Sequence, residues 1–253
     1  MRKNIKVLTV QFEPVLGDKD ANLKKLAKLL KENTDAEADI VILPEIFSLG
    51  ADYENWQKQA EFVPAQTTML LSGLAELYNT NIIGGSFIER TFDGKFYNTC
   101  IAVNRQGAVV GQYRKNYLFS HNGGRENEFI DAGEDIAVVE LDGVKFGLAL
   151  CYDIRFPELF RKMVKNGAEV FVVPAAFPQE RIEQWNILNQ ARALENQAFL
   201  ISCNQFGCSN IVSPKGEILA QTDEGEVVTQ NIINLDEILK TRTNTPYLAD
   251  MKD

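Results

Sequence analysis

Three residues of this chain could do chemistry together: Cys151, Glu45 and Lys115. Cys151 closes the apolar run VKFGLALC, and Tyr152, Asp153, Arg155 and Pro157 follow at once. A thiol in that position is a candidate nucleophile, but the usual base beside such a thiol is histidine. The chain has one histidine, His121, in a polar stretch of Asn, Gly and Ser, where a solvated ring is the expected state. Glu45 ends ADIVILPE and Lys115 ends AVVGQYRK. A carboxylate, an ammonium and a thiol therefore all follow strand-like runs. Strand ends that feed loops are where α/β folds build their crevices.

Such a trio can replace histidine. A free thiol has a pKa of about 8.5 and a carboxyl about 4.3, so moving the proton between them is uphill by about 5–6 kcal/mol. Burial raises the carboxyl, and a neighbouring ammonium lowers the thiol, so both effects close the gap. The ammonium could also hold the oxyanion formed when sulfur attacks a carbonyl. The backbone N–H of Tyr152 is a natural second donor, and a helix beginning near Pro157 adds a small favourable dipole. Residue types and spacing also leave a plainer reading open: Glu45 as a carboxylate in water, Lys115 as one of 26 basic residues, Cys151 as a core thiol.

The elements that would position these residues can be read from hydrophobic period. Apolar runs predict strands over 5–12, 39–43, 81–88, 99–103, 108–113, 136–141, 144–151, 169–174, 199–204, 210–213, 217–221 and 226–232. Helical patterns lie near 20–33, 66–79, 157–166 and 180–197, the first marked by Leu23, Leu26, Leu29 and Leu30 at spacings of three and four. The order repeats. Each half runs strand, helix, strand, helix, strand, and ends in a hairpin, CIAVNRQGAVVGQ in the first half and NIVSPKGEILAQ in the second. The hairpins interrupt the alternation an eight-fold barrel needs. Two sheets packed face to face with helices outside are expected, and continuous runs such as DIVIL and VFVV fit strands buried on both faces. In that correspondence the strands of Glu45 and Cys151 are expected to be neighbours. No linker or low-complexity segment divides the chain, so residues 1–253 are read as one domain.

Composition narrows the function. The 253 residues are 45% hydrophobic and carry a formal net charge of −9. That disfavours nucleic acid or an anionic membrane as a partner, since phosphate binding needs a basic face. The N-terminal MRKNIKVLTVQF alternates apolar and polar residues and lacks the apolar core of a signal peptide, so a cytoplasmic protein is the expectation. The spacing of Cys100, Cys151, Cys203 and Cys208 fits no CxxC metal pattern. Cys100 and Cys203 read as core. No metal or organic cofactor is called for.

Three blocks resemble the signatures of the nitrilase superfamily of carbon–nitrogen hydrolases. LPEIF resembles its glutamate block, YRKNYLF its lysine block and LCYDIRFPEL its cysteine block, in the family's order. The resemblance extends from VLTVQFEP through ARALENQAFLISCNQFG to VSPKGEIL. It implies an α/β, four-layer α-β-β-α sandwich with a pseudo-twofold internal repeat. It implies that Glu45 is the general base, that Lys115 stabilises tetrahedral intermediates, and that Cys151 forms a thioester as ammonia or an amine leaves. A second family glutamate stands seven residues before a glycine; Glu126 stands so before Gly133, with Glu128 as the competing candidate. The resemblance also suggests that Phe47, Tyr117, Phe119, Tyr152, Ala175 and Phe177 line the pocket, and that the protein is a homodimer. The polar segment 116–133, with Gly123 and Gly124, is expected to be a lid.

The forms CYDIRFPEL and PAAF…W…ARALENQ are most similar to the small-acid amidase branch. That branch includes ω-amidases acting on 2-oxoglutaramate or 2-oxosuccinamate and amidases for deamidated glutathione. A substrate carboxylate would then need a cation in the pocket, and Arg155 or Arg125 could serve. N-carbamoyl amino acid hydrolysis is an alternative. Outside enzymes of this type, the options are a catalytically idle binding protein, or a redox thiol protein in which Cys203 or Cys208 resolves Cys151. One departure bears on substrate: the segment between CNQFG and NIVSPKG is shorter than in relatives.

Overall fold

The computed structural model describes residues 3–33 and 38–251. The apolar runs pair into two sheets. In the first, β1 (Asn4–Gln11), β2 (Ile40–Ile42) and β3 (Asn81–Ile83) run parallel. In the second, β8 (Val144–Leu148), β9 (Val170–Ala175) and β10 (Phe199–Asn204) do the same. Antiparallel strands flank each parallel core. Next to β3 lies β5 (Phe96–Val103), which also pairs with β4 (Phe87–Arg90) and β6 (Val109–Arg114). Beside β10 lie β11 (Asn210–Val212) and β12 (Ile218–Gln221). At the far edges, β13 (Val227–Asn234) pairs with β1 and β7 (Ala137–Leu141) pairs with β8.

Alternation along the strands builds the layers. On β1, Leu8 and Val10 pack with Leu23, Leu26, Leu29 and Leu30 of α1 (Lys19–Asn33) and with Leu71 and Leu74 of α3 (Gln66–Tyr78). Ile5 and Val7 point the other way, into a core shared with Phe146, Leu148, Val170 and Val172 of the second sheet. Beyond that sheet lie α5 (Pro157–Lys165) and α6 (Ile182–Asn196), with Phe160 set edge-on to Phe171 at 5.1 Å. The result is the expected α-β-β-α sandwich. Burial of apolar side chains on both faces of both sheets supplies the main drive for folding.

The internal repeat can be followed residue by residue through the pairing registers. Ile40 pairs with Val7 and Asn81 as Val170 pairs with Phe146 and Phe199. Both hairpins carry a register shift at the same step, Ala102/Val103 and Ile211/Val212. Both turn on a left-handed glycine, Gly107 and Gly216, whose N–H donates to Asn104 and Ser213 respectively.

Four sequence expectations differ. The run 81–88 is two strands, because Gly84, Gly85 and Ser86 break it: Gly85 has φ +51° and a Cβ there would lie 2.0 Å from the Pro44 carbonyl oxygen. The strand expected to reach Cys151 stops at Leu148. β2 and β8 are not sheet neighbours; they belong to different sheets. The helices α2 (Tyr53–Gln59), α4 (Glu126–Phe129) and α7 (Asp236–Asn244) were not expected. The first two are too short to display a period, and α7 buries only Ile238 and Thr241.

Candidate active site

The C-terminal ends of the parallel strands in both sheets meet, and two chain reversals form there. After β2 the chain turns at Glu45–Ile46, with Ile46 at φ +44°. The Ile46 N–H donates to Ser86 Oγ at 2.8 Å, and Gln205 Nε2 donates to the Glu45 carbonyl at 2.5 Å. After β8 the chain enters a single 3-10 turn, Cys151–Arg155, with Cys151 at φ +42°. A side-chain-bearing residue in that region costs about 1–2 kcal/mol. Asp153 secures the turn. Its carboxylate accepts from the Leu150 N–H at 2.8 Å, from the Tyr113 hydroxyl at 2.7 Å and from the Tyr117 N–H at 2.9 Å. Tyr113 and Tyr117 stand on either side of Lys115, so one buried carboxylate ties the thiol's turn to the segment that carries the lysine.

Lys115 follows β6 and is only 1% exposed. Its Nζ donates to Glu45 Oε1 at 2.8 Å and to Glu126 Oε1 at 2.7 Å. Glu45 Oε1 also accepts from Asn98 Nδ2 at 2.9 Å, and Oε2 from the Ala176 N–H at 3.0 Å. That same amide acts on the Cys151 sulfur, favouring its thiolate. Glu126, in α4, accepts the Phe119 N–H at 2.7 Å through its second oxygen. Glu128 lies outside this cluster: it is exposed and paired with Arg125 at 2.8 Å.

The electrostatics define the resting state. Burial would by itself discharge Lys115, but the Glu126 and Glu45 carboxylates overcome it and hold the ammonium well above its usual pKa. Burial pushes the Cys151 thiol well up, the Glu45 charge adds to this, and Lys115 opposes both. Burial also raises Glu126 against the pull of Lys115. The sulfur is therefore a neutral thiol at rest. Two carboxyl groups, an ammonium and a thiol, all buried together, form a site where one proton transfer sets the reactivity.

A cavity of about 310 Å³ opens onto these groups and is lined by Glu45, Lys115, Glu126, Cys151, Tyr152, Arg155 and Phe177, among others. Three expected lining residues do not reach it. Phe47 is fully buried in the core between the first sheet and its helices. Tyr117 stacks on Phe156 at 3.6 Å. Ala175 is buried within β9, and its neighbour Ala176 lines the cavity instead. Arg125, named as a possible cation, is exposed and bonded to Glu54 and Glu128, away from the cavity. Sequence reasoning missed Arg181, Tyr53, Trp56 and Gln205, which do line it. A basic residue just beyond PAAFPQE was the available signal for Arg181. His121 is exposed and does not line the cavity. The short connection from β10 to β11 reaches the cavity through Gln205. Cys203 is buried in β10, its pKa pushed up to about 12 by burial, so it does not offer a ready resolving thiol.

Comparison with known proteins identifies the family and the fold. The carbon–nitrogen hydrolase family matches residues 6–243. A 2-oxoglutaramate amidase of Bacillus subtilis (strain 168) is 32% identical, with 96% of each chain covered. Omega-amidase NIT2-B of Xenopus laevis is 33% identical over 96% of this chain and 94% of its own. The crystal structure of Saccharomyces cerevisiae Nit3, a member of branch 10 of the nitrilase superfamily, superposes with a TM-score of 0.88 at 29% identity, covering 97% of this chain and 96% of that one. The chain belongs to the carbon–nitrogen hydrolase family, within the nitrilase superfamily, and is a hydrolase of carbon–nitrogen bonds.

Proposed function

We propose that this carbon–nitrogen hydrolase is an ω-amidase: it cleaves the terminal amide of a small, carboxylate-bearing substrate such as 2-oxoglutaramate or 2-oxosuccinamate and releases ammonia. The observation that carries the reading is the buried Glu45–Lys115–Glu126 cluster, which lines with Cys151 one cavity of small-molecule size. The names of the relatives at 32–33% identity support the substrate class.

In this mechanism Glu45 takes the Cys151 proton as sulfur attacks the amide carbon. The C–S bond forms and the carbonyl becomes an oxyanion, held by the Lys115 ammonium and the Tyr152 N–H. Protonated Glu45 returns its proton to the amide nitrogen, the C–N bond breaks, and ammonia leaves a thioester on Cys151. Glu45 then deprotonates a water, which attacks the thioester and frees the acid and the thiol. Glu126 is a positioning residue that keeps Lys115 charged and aimed, while its other oxygen fixes Phe119. Phe177 and Arg155 contact the substrate. The loop that carries Phe119, Asn122, Gly123 and Gly124 closes over it.

We further propose that residues 1–253 act as one domain, in the cytoplasm, as a homodimer. The four free thiols suit a reducing compartment. The exposed Ile187 and Leu194 of α6 suit a subunit contact. No helix among the described residues is long and apolar enough to cross a membrane.

Ammonia release from a panel tests the reading: 2-oxoglutaramate, 2-oxosuccinamate, deamidated glutathione, an N-carbamoyl amino acid and a simple nitrile, with Cys151→Ala as control. The two 2-oxo amides should be hydrolysed with the highest kcat/KM. Preference for the carbamoyl compound or for deamidated glutathione would assign a different member of the same reaction class. No turnover of any amide, with a reversible Cys151 disulfide, would point to redox chemistry.

A further inference from the structure

Two guanidiniums line the cavity, and their surroundings differ. Arg155 is engaged: its Nη2 donates to Gln184 Oε1 at 2.9 Å, and its Cζ lies 5.4 Å from the centre of the Phe177 ring and 6.0 Å from that of Tyr152. Arg181 ends the short 3-10 turn Gln179–Arg181 that follows β9. It is half-buried, and its guanidinium lies 4.9 Å from the Phe119 ring and 5.7 Å from Phe177. Among the described residues its side chain has no carboxylate partner and no hydrogen-bond acceptor. Of the other half-buried arginines, Arg105 is answered by Asp39 and Asp142 and Arg114 by Glu89; Arg161 Nη1 and Arg242 Nη2 also lack a partner, but neither residue lines the cavity.

We infer that Arg181 is the specificity-determining residue that binds the substrate's distal carboxylate; this rests on the ω-amidase reading above. A guanidinium presents paired N–H donors that match a carboxylate in plane, and such charge-assisted pairs are the stronger hydrogen bonds. Two aromatic rings, Phe119 and Phe177, lie against the group, and its N–H donors have no protein acceptor among the described residues. Arg181 lines the same cavity as Cys151. A substrate with its amide at the sulfur and its carboxylate at Arg181 spans one cavity with opposite ends recognised by different chemistry. The substrate class is then the monoamide of a short diacid. Phe119 gives the arrangement a second consequence: its ring contacts Arg181 and its N–H is held by Glu126, so the carboxylate seat and the lysine's support share one loop residue.

The test compares glutaramate with pentanamide, its neutral counterpart of equal length, on wild type, R181Q, R181K and R155Q. R181Q should raise KM for glutaramate by about 30-fold with kcat nearly unchanged, as loss of uniform binding requires. Its kcat/KM for pentanamide should stay within about twofold, and R181K should fall between wild type and R181Q for glutaramate. R155Q should alter the acid-to-neutral preference less than R181Q does. Equal losses on both substrates in R181Q would overturn the assignment and leave Arg181 as a packing residue between two rings. Wild-type preference for glutaramate that survives R181Q would overturn it while the ω-amidase reading stands. A wild-type enzyme with no preference for glutaramate would contradict that reading itself.

Discussion

The two halves of this molecule share a chain path and differ in what stands at the ends of it. The registers align Cys151 with Phe12 and Glu45 with Ala175, and two residues beyond Phe12 stands Pro14 where the other half has Asp153. Counting along the hairpins, Lys115 meets Glu224. In the first-half copy of the Cys151 position, Phe12 is fully buried and set edge-on to Phe47 at 6.4 Å. Beside it, Gln11 closes a buried network: its amide donates to the Asp223 and Gly225 carbonyls at 2.8 Å each, and its oxygen accepts from Ser209 and Thr222 at 2.6 Å each. There the polar groups satisfy one another. At the Cys151 end they face a cavity. The repeat therefore supplies a scaffold of two similar strand ends, and a few side chains decide which end opens on a cavity and which is closed by its own hydrogen bonds.

The largest test of that contrast is direct substitution at matched positions. Glu45→Gln and Lys115→Ala should each lower kcat by at least about a thousandfold. Glu224→Gln, at the exposed counterpart of Lys115, should leave kcat within about twofold. Steady-state ammonia release measures both. Comparable losses at positions 224 and 115 would break the comparison.

Asp153 gives the active end a pH dependence that Pro14 cannot give the other. Burial raises its carboxyl pKa to about 7, despite Lys115 and three hydrogen bonds favouring the charge. Between the unfolded carboxyl value and about 7, the folded state thus holds a proton that the unfolded chain has lost. On this group's account, stability falls as pH rises through that window. Asp153→Asn removes the titration. The stability of wild type relative to this variant should decline by about 3–4 kcal/mol from pH 4 to pH 8. Urea unfolding at several pH values measures it, and a pH-independent difference would contradict the assignment.

Gln11→Leu sharpens the comparison from the other side. It strands two hydroxyls and two carbonyls, so unfolding free energy should drop by about 2–3 kcal/mol while kcat holds. A large loss of kcat with intact stability would mean that the closed end takes part in catalysis. The smallest effect is expected at His121. His121→Ala should change kcat by less than about twofold, because the ring is exposed and outside the cavity.

Much of this arrangement was legible in the sequence because burial on both faces leaves continuous apolar runs, and the two hairpins announce the repeat. Glu45, Lys115 and Cys151 stood out as polar residues at the ends of such runs. Glu126 came only from the family resemblance, through its spacing from Gly133. The lining residues were harder to read, for a geometric reason. Phe47 is only two residues from Glu45, but the chain turns at Ile46 and sends its ring into the helix-packed core. Ala175 is still in the strand, and the cavity begins one residue later. Proximity in sequence does not set side-chain direction where φ changes sign. Arg181 sits in a turn with no period to reveal it, and only the folded chain brings Phe119 against it.

We propose that Cys151, with Glu45 as its base, hydrolyses a small carboxylated amide. The direct measurement is simultaneous assay of ammonia and free acid from 2-oxoglutaramate by wild type and by Cys151→Ala. Wild type should release equal amounts of both products, and the variant should release them at least about a thousandfold more slowly. Ammonia release by Cys151→Ala at a rate comparable to wild type would contradict it.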